Sequence, residues 1–393
     1  MTPPTCSIRP HDHDATPTPL TDRGRPLCID PRLPHLSPHS TSNHDPKCLA
    51  HRCIGDAGHG PGGRAGTLGA AVLSVSKLGA GQEGYYLDSV AQGVEDYYFG
   101  HGETPGRWMG SAAALLGLDG EVDAPDLRAV LEGRSPVDGT RLIQARKDRV
   151  PGFDLTFSAP KSVSVLFGLG DPDTVRAVRT AHDRSVDAAL GWLEREACLS
   201  RRGVDGVEHI AGEGFVAAGF VHRSSRAGDP QLHTHVLVAN LTRCDDSVWR
   251  TLHGGPLLWQ ARTAGYLYKA QLRHELTVSL GVAWGPVHKG AAEIIGIPAE
   301  LCALFSTRRH EIQDELDARG EHSPRAARVA ALETRQAKDY GVDIGALRDR
   351  WHDQALEAGH APETITAIGR PNPPRSPPAS NTTRPSGCWV LTV

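Results

Sequence analysis

Apolar positions along this chain follow two periods. An alternation of two governs VPGFDLTFS (150–158), where Phe153, Leu155 and Phe157 share one face of a strand and Asp154, Thr156 and Ser158 the other. QLHTHVLVAN (231–240), rich in β-branched residues, predicts a second strand, and GEGFVAAGFVH (212–222) a third. The Arg/Ser/Gly/Asp/Pro stretch between these two predicts a turn that folds them into a hairpin. VLSVSKL, from Val72, predicts a short first strand.

Helical spacing takes over elsewhere. It predicts helices over Gln82 to Phe99 (Tyr86, Leu87, Val90 and Val94 on one stripe) and over Asp171 to Cys198, which opens on DPDT and aligns Val175, Val178, Val186, Ala189, Leu190 and Leu193. His182 lies within that second helix as a packed or surface residue. A third long helix runs from Pro256 to Leu280, with proline in its first turn and Gly281 just past its end. GRWMGSAAALLGLDGEVDAPDLRAVLEGRSP (106–136) predicts a Trp-anchored turn and two short helices lying on the sheet. Pro160 interrupts the 150–158 strand and a short buried helix follows; WRTLHGG predicts an edge or turn. From Gly281 to about Gly359 the chain reads as helical and charged, which suits arms over a bound partner.

Composition divides the chain. Residues 1–71 hold no Phe, Trp or Tyr and eleven of the 29 prolines, too little apolar surface to offset the entropy of ordering, so the segment is expected to be disordered. The tail, 361–393, with RPNPPRSPPASNTTRPSG, is expected to be disordered for the same reason. Between them, 72–360 is the expected folded domain. With 39% hydrophobic and 22% charged residues, and no apolar run near the ~20 residues that span a bilayer, a cytoplasmic protein without a membrane segment is expected. Eight cysteines without C-x-x-C spacing predict neither a disulfide framework nor a zinc finger. A net charge of −4 neither announces nor excludes a nucleic-acid partner, because local basic patches decide that. There is no G-x-x-x-x-G-K-[ST] loop for ATP.

The candidate chemistry lies in His222, His233 and His235. His233 and His235 are two apart on a strand and so project from one face, and the hairpin brings His222 alongside. Three neutral imidazoles leave a metal ion open positions for water or substrate, the pattern of a catalytic site; the plainer alternative is surface histidines. Asp154, set among three large apolar residues, is costly unless it has a partner, a histidine or a tyrosine hydroxyl; otherwise it marks a solvated strand face. Tyr85, Tyr86, Tyr97 and Tyr98 are four of the seven tyrosines, in two doublets flanked by acids. Clustered core aromatics would explain Tyr86, whereas two doublets suggest a reaction that uses two phenol nucleophiles.

In this order and spacing the tyrosine pairs, GRWMG, LGLDGEVD, FDLTFSAPKSVSVL and FVHRSSRAGDPQLHTHVLVANLT resemble the relaxase domain of TrwC/TraI-type conjugative relaxases, the MobF class of HUH endonucleases, over roughly 72–359. The resemblance implies an α+β fold: a central antiparallel β-sheet of HUH, ferredoxin-like palm type covered by helices, with helical C-terminal fingers. It implies a divalent metal ion, Mg or Mn foremost and Zn also possible, held by His222, His233 and His235, with Asp154 as the family's acid. It implies Tyr85 as first nucleophile and Tyr97 as second, each leading its doublet. The implied activity is metal-dependent, strand-specific nicking of plasmid transfer-origin DNA through a 5′-phosphotyrosine, followed by rejoining. The implied partners are single-stranded DNA at the origin and, since such chains usually continue into a helicase, a separate helicase and a coupling protein. Lys161, Arg223 and Arg226 are candidate phosphate contacts, as are the clusters Arg201/Arg202 and Arg308/Arg309; solvated surface charges are the alternative. Two rivals remain at this stage: a hydrolase with a metal on three histidines, which has no use for paired tyrosines, and a non-catalytic, origin-binding remnant of a relaxase.

Overall fold

The computed structural model describes residues 73–78, 106–144, 146, 149–334 and 344–368, all within the unit Thr67–Val393. The helix expected over 82–99, with both tyrosine doublets, lies outside the described residues. In chain order the elements are β1 (Ser74–Lys77), β2 (Arg107–Met109), a 3-10 turn (Ala114–Leu116), α1 (Ala124–Leu131), β3 (Gly152–Ser158), α2 (Lys161–Leu169) and α3 (Pro172–Ala197). They continue with β4 (Leu199–Arg202), β5 (Glu208–Ala211), β6 (Ala217–Ser224), β7 (Pro230–Ala239), β8 (Thr242–Arg243), β9 (Trp249–Arg250) and α4 (Gly254–Leu280). The C-terminal part is helical: α5 (Ala299–Leu304), α6 (Thr307–Arg319), α7 (Pro324–Glu333), α8 (Ile344–Glu357) and α9 (Pro362–Ile368).

A five-stranded antiparallel sheet in the order β1-β3-β7-β6-β2 organises the fold. Its two faces are set by the period of two. Phe153, Leu155 and Phe157 of β3 and Leu232, Val236 and Val238 of β7 turn to one face, where Leu190 and Leu193 of α3 and Leu272 and Leu276 of α4 complete the main core. The alternate residues Ala218 and Phe220 of β6 and Leu237 and Ala239 of β7 turn to the other face and pack with Trp108, Leu127, Val130 and Leu131. Burying each large apolar side chain contributes roughly 1.5–3 kcal/mol, so both layers are strongly held. At its start α3 is capped: the Asp171 carboxylate accepts from Thr174 N at 2.8 Å, with Pro172 at the first position. Gly281, at φ 68°, ends α4.

Three expectations change. RWM is an edge strand, not a turn: Arg107–Met109 pair with Gly219–Ala217 of β6, a run too short to show a period in sequence. Gly110, at φ 85°, ends it, and a Cβ there would stand 2.3 Å from the Phe215 carbonyl oxygen. Residues 282–298, expected to be helical, instead turn back on themselves, with bridges Trp284↔Ile294 and His288↔Ala291, because Gly285, Pro286, Gly290, Gly296 and Pro298 interrupt any helix. Packed structure also continues beyond 360, since α9 buries Ile365 in the main core with Ile368 against it. A piece ending at 360 is therefore expected to be less stable than one ending at 369 by about 2 kcal/mol or more, the worth of one buried isoleucine; equal urea midpoints for the two would refute this.

The C-terminal helices are not simply solvated arms. Trp351 and Ala355 of α8 are buried in the main core, and the Trp351 indole N–H donates to the Gly228 carbonyl at 2.8 Å. Among the described residues no helix is long and apolar enough to cross a membrane.

Candidate active site

The three histidines fall where the second apolar layer gives out. Along β7 the face that carries Leu237 and Ala239 carries His235 and His233 further back, and on β6 it carries Phe220 and then His222. The register pairs His222 with His233 and Phe220 with His235. The ring centroids form a nearly equilateral triangle with sides of 5.1, 5.0 and 5.2 Å, and one nitrogen from each ring lies within 4.8 Å of the others. His222 is buried and the other two are half-buried, so the cluster opens to solvent on one side.

Hydrogen bonds set which nitrogen faces the centre. His235 Nδ1 lies 3.0 Å from each oxygen of Asp154, and because a carboxylate only accepts, Nδ1 carries the proton and Nε2 keeps its lone pair. The Thr156 hydroxyl is 3.3 Å from the same nitrogen. His233 Nδ1 lies 2.8 Å from the Gln231 carbonyl oxygen, which enforces the same tautomer. Asp154 is 4% exposed and pairs with a histidine, one of the partners the sequence allows it. Three imidazoles with converging nitrogens are, in their neutral form, a donor set that fits a divalent cation and leaves positions for other ligands.

The expected phosphate contacts do not gather as a group. Lys161 Nζ donates to the Pro230 carbonyl at 3.0 Å, tying the start of α2 to β7; burial pushes its pKa down to about 8, against the pull of Asp229, Cys302 and Glu293. Arg223 follows His222 on β6 and Arg226 sits in the β6–β7 turn, both half-buried. Arg202 pairs with Glu208 across β4 and β5, and Arg308 bonds Glu311 and the Thr334 hydroxyl, tying α6 to the end of α7.

Two further features lie outside the triangle. A cleft of about 1090 Å³ at the far end of β7 is lined by Arg146, Arg149, Arg201, Arg250, Trp249 and Asn240, among others. Of these residues only Arg201 is among the phosphate contacts expected from sequence, and the others are remote from it along the chain or unsignalled. The second is His182, wholly buried between Tyr268 and Thr234. Burial, then the charge of Arg179, holds its pKa at about 3 against an ordinary 6.5. Between those values the unfolded chain binds the proton and the folded chain does not, so stability falls as pH is lowered through that window, by up to about 1.4 kcal/mol per pH unit. His182→Gln is expected to flatten the acid limb of a urea-midpoint against pH plot; parallel limbs would refute the assignment.

A family model described as TrwC relaxase matches residues 79–358. The chain belongs to the TrwC relaxase family. The multifunctional conjugation protein TraI of Escherichia coli is 36% identical over 300 residues, 73% of this chain and 16% of TraI, so the chain spans about one sixth of that curated relative. A solved structure of the conjugative relaxase TrwC with OriT DNA, metal-free, is 33% identical with a TM-score of 0.63, covering 73% of this chain and 99% of the other. Its metal-bound counterpart is 33% identical with a TM-score of 0.65, covering 74% and 99%. The antiparallel sheet and helical layers are those of this relaxase family.

Proposed function

We propose that this chain is a conjugative relaxase that cuts and rejoins one strand of plasmid transfer-origin DNA through a tyrosine. The observation that carries the reading is the triangle of imidazoles with a carboxylate behind one of them, in a chain of this family. The divalent ion would be held by His222, His233 and His235, where it would neutralise charge on the scissile phosphate. Of Mg²⁺ and Mn²⁺ the all-nitrogen donor set favours Mn²⁺, and Zn²⁺ suits it also.

The Tyr85 oxygen attacks the phosphorus, an O–P bond forms as the bond to the 3′-oxygen breaks, and a 5′-phosphotyrosine and a 3′-hydroxyl result; the phenol's proton ends on the 3′-oxygen or solvent. One phosphodiester replaces another, so no ATP is consumed and the step reverses. Tyr97 makes the second transfer. Asp154 acts through His235, whose Nδ1 it holds. The arginine cleft takes phosphates of the same DNA away from the cut, with Arg223 and Arg226 nearer to it; Lys161, bound to Pro230, serves β7 instead. The relaxase domain occupies 72–360 with α9 added, and works in the cytoplasm with a coupling protein.

The test uses single-stranded oligonucleotides tiled across the DNA beside the gene, incubated with the full chain and Mn²⁺. One of them is expected to give a covalent adduct, seen as a shifted band on a denaturing gel and lost in EDTA. Binding with no adduct on any oligonucleotide would overturn the reading.

A further inference from the structure

Thr234 lies between His233 and His235 on β7, and by the period of two it points to the opposite side of the sheet, into the helical layer. Its Oγ1 is 2.7 Å from His182 Nε2 on α3, and His182 Nδ1 is 2.8 Å from the Tyr268 hydroxyl on α4. Thr234 is 3% exposed, and His182 and Tyr268 are fully buried. The Tyr268 ring stands 5.5 Å from that of Phe157, which is the β3 partner of Thr234. The chain of three polar groups thus grips one rung of the sheet, Phe157–Thr234. That rung lies between the Ser158–His233 and Thr156–His235 rungs, the two that carry imidazoles on the other face.

A hydroxyl, an imidazole and a phenol are costly to bury in a core of leucine and valine unless every one finds a partner, and apolar groups of the same shape would fill the space with no loss of stability. What the polar chain adds is direction. A hydrogen bond weakens steeply beyond about 3.2 Å or below about 120°, whereas apolar contact tolerates sliding of that size. A shift of β7 by a fraction of its ~3.3 Å residue rise would carry His233 and His235 together away from His222, and functional groups of this kind must be held to within about 0.5 Å.

We propose that His182 is a positioning residue, which holds β7 at Thr234, against α3 and α4, in the one placement that brings His233 and His235 into register with His222. The metal consequence rests on the reading of the triangle given above; the placement itself does not. Neutral over the working pH range, the His182 ring has one donor and one acceptor nitrogen, matched to the two hydroxyls it joins.

Thr234→Val is the decisive variant, because valine keeps the shape, favours a strand and removes only the hydroxyl. In metal-free full-length protein with ¹⁵N-labelled histidine, the imidazole resonances of His233 and His235 are expected to be sharp in the wild type and broadened or shifted in Thr234→Val. Mn²⁺ affinity by calorimetry is expected to fall about tenfold, the scale at which residues behind metal ligands act. Thr234→Ser is expected to restore both, and Thr234→Val, which leaves His182 Nε2 buried without this partner, to melt below the wild type yet remain folded under the conditions of both measurements. Unchanged resonances together with unchanged Mn²⁺ affinity would overturn the proposal while leaving the metal reading intact. If the wild type itself took up no Mn²⁺, the metal reading would fail, and the metal-free resonances alone would decide: broadened in Thr234→Val they support the positioning role, unchanged they overturn it.

Discussion

Replacing His233 by alanine is expected to abolish adduct formation, by about 10²–10³-fold or more, while the protein stays folded. His233 is half-buried at the open side of the cluster, and its structural bond is to the Gln231 carbonyl, which water can take over when the ring is gone. His235→Ala should be equally inactive but less stable. It takes from Asp154, 4% exposed, the ring that bonds both its oxygens, and losing a charge-assisted bond to a buried carboxylate costs about 1.5–3 kcal/mol. The pair therefore separates chemistry from packing. Adduct yield on a denaturing gel and melting temperature by circular dichroism are the two measurements, with EDTA and added Mn²⁺ as the metal control. Full cleavage by His233→Ala, or by the wild type in EDTA, would defeat the metal reading. It would also bring back the plainer view of these as surface histidines.

Tyr85→Phe should form no adduct. Phenylalanine keeps the ring and removes only the oxygen that attacks phosphorus, so a loss on the scale of the whole reaction, with DNA binding retained, would assign the nucleophile directly. Tyr97→Phe should still form the first adduct but fail to transfer it onto a fresh strand, because an enzyme already joined to DNA through one phenol needs a second to cut again. A gel-shift assay on the same oligonucleotide provides the binding control. Damage from Tyr86→Phe or Tyr98→Phe instead would shift the register within each doublet, and an intact adduct in all four variants would require a different nucleophile.

Much of the palm was legible without coordinates because a strand reports its faces locally. Phe153, Leu155 and Phe157 on one side and Asp154 and Thr156 on the other follow from alternation alone, and so does the shared face of His233 and His235. The capped start of α3 and the glycine end of α4 are equally local, each written within a few residues. The turn from β6 to β7 placed His222 beside them because a hairpin is a short-range object.

Sequence could not decide whether Asp154 meets a histidine or marks a solvated strand face. That choice depends on β3 lying against β7 in a register that sets Thr156 opposite His235, a pairing of residues some eighty apart along the chain. The strand character of Arg107–Met109 depends in the same way on β6, since three residues carry no period of their own and gain one only from a neighbour's hydrogen bonds. The arginine cleft joins a loop before β3 to residues on β4 and β9 and just past β7, and His182 reaches Thr234 and Tyr268 from a third element; no local pattern encodes either meeting. By itself, then, the sequence determined the long strands and helices, their buried faces and the identities of the three imidazoles, because these follow from backbone periodicity. Only the tertiary structure decided which polar groups meet, because a hydrogen bond holds only within about 3.2 Å and that distance exists only once the layers have packed.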